Sequence, residues 1–146
     1  MAEPYRHIVI CLDFSEHSDR AFEKARGLAT REGADLTILH VVVPGLPLVP
    51  GEEPPKKPSR IPDEEIVGKL QRHIEENYLA RCGGPACQIM LRRGYPSVEI
   101  LDHLRETGAD LVVMGSAGLS GMGLVLLGSV AERVCRKAPC DCLIVR

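Results

Sequence analysis

At 146 residues the chain fits a single domain, and 45% hydrophobic with 26% charged residues is ordinary for a globular protein. The formal charge of -2 leaves no global attraction to nucleic acid or anionic lipid, both of which need a basic face. Aromatic residues make up 3%, with no Trp, which argues against base-stacking platforms and for an aliphatic core.

The N-terminal stretch MAEPYRHIVICLDFSEH has a short apolar run, followed at once by Asp13 and Glu16, and no small-residue cleavage site. It does not read as a signal peptide, and a cytoplasmic protein is expected. Residues 6–12 (RHIVICL), rich in β-branched side chains and bounded by Asp13 and Ser15, read as a buried strand. Asp13 or Ser15 can cap the next helix, in which Ala21, Phe22, Ala25, Leu28 and Ala29 recur at helical spacing until Gly33 ends it. Residues 35–43 (DLTILHVVV) are a second strand. Asp63 opens a second helix with Ile66, Val67, Leu70 and Ile74 on one face, fading near Cys82. Residues 86–91 (ACQIML) are a third strand. Pro96 suits the first turn of a helix through Glu106 that turns Val98, Leu101 and Leu104 inward. Residues 111–114 (LVVM) are a fourth strand, Ser129 caps a last helix through Lys137, and residues 140–145 close as a fifth strand.

Strands alternating with helices specify a parallel sheet covered on both faces, and right-handed crossovers make it an open, doubly wound α/β sandwich. The tetrapeptide GADL precedes the second and fourth strands and marks one helix-to-strand turn used twice. The stretch from Val43 to Pro62 holds seven of the eleven prolines and no helix period. It reads as a solvated, partly extended excursion over 44–62 rather than an ordered lid. None of the six cysteines forms a CxxC pair, so the usual zinc and thioredoxin-like spacings are missing and no metal ligands are assigned. Cys11 reads as a small core hydrophobe, Cys140 and Cys142 as reduced structural thiols, and His7 and His40 as core or edge residues of strands.

The stretch MGSAGLSGMGLVLLGSV, residues 114–130, decides more than any other. No charged residue occurs between Asp110 and Glu132, a run long enough to cross a bilayer. Its glycines exclude that reading, because each costs a helix interior roughly 1 kcal/mol relative to Ala, and a span here would break the sheet. Glycines just past the fourth strand instead sit where open α/β sheets bind ligands. Successive N–H groups there can form an anion nest, and Gly128-Ser129 opens a helix whose N-terminus also favours an anion. An apolar arm joins the two, with Leu124, Leu126 and Leu127 able to pin it to the core. Composition leaves this reading level with a mobile glycine loop. The stretch is neither a Walker A loop nor a Rossmann fingerprint, and no GxSxG elbow occurs.

The spacing Gly115-x2-Gly118-x9-Gly128-Ser129, together with ICLDFSEHS, LTILHVV, RRGYPSVEIL and LLGSVAERVCRKAPCDCLIV, resembles the universal stress protein family in its ATP-binding branch. The resemblance implies one such domain over residues 1–146 and the strand order 3-2-1-4-5 of adenine nucleotide alpha hydrolase-like folds. It implies a site for ATP, or for AMP or ADP, with Mg²⁺ or Mn²⁺ held through the phosphates. Carried over by position, Asp13 faces the adenosine near ribose or metal, and Val41 meets adenine through its main chain. Gly115, Gly118, Gly128, Ser129 and Val130 surround the phosphates. A homodimer through the last strand, 140–145, is also implied. Two departures stand out. Ala117 and a neutral arm replace basic residues that many relatives carry, and Asp141 stands where relatives often have Pro. With no Lys or Arg in the loop, no catalytic residue is assigned and efficient phosphoryl transfer is not expected. The expected function is a nucleotide-binding, stress-response regulator. The alternatives are a ligand-free dimeric scaffold and a slow metal-dependent ATP hydrolase.

Overall fold

Both faces of the central strands are apolar, and that decides the architecture. In β1 (His7–Leu12), Ile8, Ile10 and Leu12 project to one side and Val9 and Cys11 to the other, and all five are buried. β2 (Asp35–Val42) repeats this with Leu36 and Ile38 against Leu39 and Val41. β4 (Leu111–Gly115) does so with Leu111 and Val113 against Val112 and Met114. Such strands need cover on both sides. α1 (Glu16–Glu32) and α2 (Asp63–Asn77) cover one face, and α3 (Pro96–Thr107) and α4 (Ser129–Lys137) the other. β3 (Cys87–Arg93) and β5 (Asp141–Val145) are the edges of a parallel sheet in the order β3-β2-β1-β4-β5, the expected order. The structure, a computed structural model, describes residues 2–45, 48–53, 63–117 and 127–146. Gly118, most of the apolar arm, including Leu124 and Leu126, and much of the proline-rich excursion lie outside them.

The repeated GADL turn works the same way twice. Gly33 and Gly108 end α1 and α3 in the left-handed conformation, at φ 70° and 66°, where glycine alone is unstrained. The next residues, Ala34 and Ala109, are buried, and the Asp35 and Asp110 N–H groups donate to the carbonyls of Arg6 and His7. Asp110 adds a clamp, its carboxylate accepting the N–H groups of Arg6 (2.9 Å) and His7 (3.1 Å). The turn therefore aligns β1 with both of its neighbours.

Three expectations fail. Ser129 begins α4 but does not cap it; the N-cap is Gly128, in an extended conformation and with no side chain to offer. Val98 is 46% exposed, because α3 buries Ser97, Ile100, Leu101, His103 and Leu104, and position 98 falls outside that arc. Leu127 is exposed rather than pinned to the core, since the adjoining Gly128 N–H is tied to the Ser116 carbonyl at the rim. A disulfide also joins Cys82, just after a short 3-10 turn (Leu79–Arg81), to Cys87 at the start of β3. Its four-residue gap lies outside the CxxC pattern. Cys11, Cys135, Cys140 and Cys142 are free, and burial pushes the Cys142 thiol up to about 12. Among the described residues no helix is long and apolar enough to cross a membrane.

Candidate functional site

The strand order runs from β1 out to β3 on one side and through β4 to β5 on the other, so the winding reverses between β1 and β4. Open α/β sheets hold ligands beyond the carboxyl ends of the strands at such a reversal. A cavity of about 360 Å³ lies there. Asp13, Val41, Gly115, Gly128, Ser129 and Val130 all line it, from four separate segments of the chain. Gly118 lies outside the described residues.

Asp13 is placed by the turn from β1 into α1. Phe14 adopts φ 66°, a left-handed conformation uncommon for a side-chain-bearing residue. Its ring is held 4.6 Å from that of His40 and 5.2 Å from that of His73. Asp13 Oδ1 accepts the Ser15 N–H (2.9 Å) and the Ser15 hydroxyl, and Ser15 Oγ accepts the Ser18 N–H (3.2 Å). Ser15 is thus the N-cap of α1 and Asp13 braces it from outside the helix.

The ladder between β1 and β2 ends at Leu12 opposite His40. Beyond it Val41 and Val42 line the cavity with no β1 residue paired to them. His40, read from sequence as a core or edge residue, is buried and is also part of the cavity wall. Its Nδ1 lies 2.7 Å from the Leu12 carbonyl oxygen. A carbonyl only accepts, so Nδ1 carries the proton, and burial lowers the ring's pKa and keeps it neutral.

Gly115 has a structural duty of its own. A Cβ there would stand 2.7 Å from the carbonyl carbon and Cβ of His17 and 2.9 Å from the Ser18 nitrogen. The close approach served by this glycine is that of β4 to the first turn of α1. Next to it, Ser116 donates its N–H to the Val145 carbonyl and accepts the Gly128 N–H, both at 2.8 Å. The two ends of the glycine stretch are thereby stapled together, and the first turn of α4 is fixed against β4. The N–H groups of Ser129, Val130 and Ala131 have no intrahelical acceptor, and Gly128 offers no side chain to cap them. All three residues line the cavity.

Leu39, Val41, Ile100 and Met114 supply aliphatic wall, while the start of α4 supplies donors. The arrangement can hold a flat apolar group beside an anion. Among the described residues, no group of three or more His, Cys, Asp or Glu side chains is placed to hold a metal ion. Sequence reasoning missed Ser18, Leu70, Pro96, Ile100 and Ala131, which helices bring in from the sides. No local motif marks them, because their approach depends on how each crossover docks.

A model of the universal stress protein family matches residues 4–146. The chain belongs to that family. Universal stress proteins of Thermus aquaticus and Bacillus subtilis are 32% and 30% identical to it, each aligned over 97% of this chain and 99% of the relative. Among solved structures, the universal stress protein UspA from Lactobacillus plantarum has a TM-score of 0.75 at 24% identity, covering 99% of this chain and 100% of its own. A universal stress protein in complex with cAMP has a TM-score of 0.69 at 26% identity over 98% of both chains. A universal stress protein from Archaeoglobus fulgidus in complex with dAMP has a TM-score of 0.68 at 21% identity, covering 98% and 99%. In this universal stress protein, as the family's fold requires, the five-stranded parallel sheet reverses its winding at β1 and β4.

Proposed function

We propose that this universal stress protein binds an adenine nucleotide, ATP or AMP or ADP, in the cavity beyond β1 and β4. One observation carries the reading: residues selected through the glycine spacing and the first strand end, far apart in sequence, line a single cavity whose far side is the uncapped start of α4. The aliphatic wall suits adenine, and the main chain at Val41 suits its polar edge. The N–H groups of Ser129 and Val130 and the α4 dipole suit a phosphate. Asp13 suits ribose hydroxyls, which donate to a carboxylate, or a Mg²⁺ or Mn²⁺ ion carried by the phosphates. The relative in complex with cAMP, at 26% identity, supports an adenosine phosphate here. This is a binding site first, since the described cavity wall brings no Lys or Arg to a transferring phosphoryl group.

Saturating adenine nucleotide with Mg²⁺ is expected to raise the melting temperature. At a hundredfold excess over Kd, binding contributes about 2.7 kcal/mol, or roughly 5–10 °C for a domain of this size. Absence of any shift with millimolar ATP, ADP and AMP would sink the reading.

The regulatory form we propose is a homodimer through β5. Among the described residues that strand is a sheet edge, with unpaired main-chain groups on its outer side. Asp141 at its start is engaged within the chain, accepting the Tyr5 hydroxyl at 2.9 Å. Light scattering at micromolar concentration is expected to give twice the chain mass; a monomer with and without nucleotide counts against the dimer.

A further inference from the structure

We propose that Cys82 and Cys87 form a reversible thiol–disulfide exchange site, entered at the Cys87 sulfur by small thiols such as glutathione. The two are joined by a disulfide, while Cys11, Cys135, Cys140 and Cys142 stay free.

Each sulfur is held by contacts that do not need the bond. Cys82 follows the 3-10 turn, where its N–H donates to the Leu79 carbonyl (3.1 Å) and the Arg81 N–H to the Tyr78 carbonyl (2.9 Å). Tyr78 is fixed in turn: its N–H donates to the Ile74 carbonyl, its hydroxyl to Asp19, and its ring stands edge-on to Phe22. Cys82 itself is 4% exposed, in the same core cluster as Ile74, Tyr78 and Phe22. On the other side, Cys87 stands opposite Leu36 in the ladder between β2 and β3, and the Ala86 carbonyl accepts the Leu36 N–H at 2.8 Å. Gly83, in the left-handed conformation at φ 67°, turns the chain between the two anchors, and the Gly84 N–H donates to the Cys82 carbonyl. Breaking the S–S bond therefore leaves both thiols side by side in a folded chain. A bond that closes so short a loop removes little entropy from the unfolded chain, so its loss is one the core can bear. Its return is an intramolecular step, favoured by the high effective concentration of the second thiol.

Exchange requires access to the sulfur that is attacked. Cys82 is closed to solvent, whereas Cys87 is half-buried at the start of β3, a sheet edge among the described residues. A glutathione thiolate attacks Cys87 Sγ, forms a mixed disulfide there and expels the Cys82 thiolate, which takes a proton. A second glutathione thiolate attacks the glutathione sulfur of that mixed disulfide, releases Cys87 as the thiol once protonated, and leaves as glutathione disulfide. Two electrons pass from two glutathione molecules to the protein bond, and glutathione disulfide drives the same steps in reverse.

The test exposes the full native chain to glutathione buffers of graded redox ratio, followed by alkylation, peptide mass spectrometry and thermal melts. The Cys82–Cys87 pair is expected to interconvert in both directions between the bonded and the doubly alkylated form. The reduced chain is expected to keep its circular dichroism and to melt roughly 5–10 °C lower. Single variants separate the two sulfurs. With glutathione disulfide, Cys87 in Cys82→Ser is expected to be modified about tenfold faster than Cys82 in Cys87→Ser, because the buried thiol reacts only through local opening. A bond that resists excess glutathione and dithiothreitol in the native protein overturns the proposal. So does loss of the fold on reduction, or reoxidation that pairs other cysteines. Equal rates in the two variants overturn entry at Cys87.

Discussion

A Gly115→Ala variant is expected to lose about 2–3 kcal/mol of stability, the upper range for overfilling a packed site, and to melt roughly 5–10 °C lower. The added methyl would stand 2.7 Å from two carbon atoms of His17 and 2.9 Å from the Ser18 nitrogen. Two of these three atoms are main chain in the first turn of a helix, so the clash cannot be relieved by rotating a side chain. Relief requires α1 to withdraw from β4, and that movement carries Ser15 and the Asp13 it braces out of place. Gly68→Ala is the control. Gly68 lies inside α2 with open space where its Cβ would go, so alanine there should stabilise by about 0.5–1 kcal/mol. Thermal melts of both variants decide the point. A Gly115→Ala protein that melts with the parent would mean that β4 and α1 do not approach this closely.

The larger loss is expected at Phe22. This ring is fully buried in a core built mostly from aliphatic side chains and Ala. The Tyr78 ring stands edge-on to it at 5.1 Å, and the Arg81 guanidinium lies 5.0 Å from its centroid. Tyr78 is also tied to α1 through its hydroxyl, which donates to Asp19. Phe22 therefore joins α1 to the segment after α2 and supports the rings around Phe14. Phe22→Ala is expected to cost about 3–5 kcal/mol, read as a lower urea midpoint with an unchanged slope. Phe22→Leu keeps most of the volume and should cost less than about 1.5 kcal/mol. A loss below 1 kcal/mol in the alanine variant would show that the surrounding core closes over the gap.

Much of the fold was legible because local and global signals agree. The continuous apolar runs of β1, β2 and β4 carry two-sided burial in their composition, and the helix stripes, the Ser15 cap and the αL glycines Gly33 and Gly108 mark where each helix begins and ends. Errors occurred at helix starts. The first turn of α3 exposes Val98 although its residue type favours burial, and α4 begins without a side-chain cap although Ser129 is a good capping residue. In both, docking of the helix on the sheet overrides the preference of one residue.

The alternation of strands and helices, the burial of both sheet faces and the absence of charge from the glycine stretch are all local properties of the chain. Each of these follows from residue types at fixed local spacing, and no long-range contact is needed to produce it. That the start of α4, the end of β2 and the turn after β1 meet in one cavity, and that Gly115 is demanded by α1, emerged with the folded chain. So did the place of His40 in that cavity wall. Those facts depend on strand order and on the docking of crossovers, which bring residues as distant in sequence as Gly115 and His17 into contact. No local spacing encodes such a distance, because the register between parallel strands is set by the packing of the helices between them.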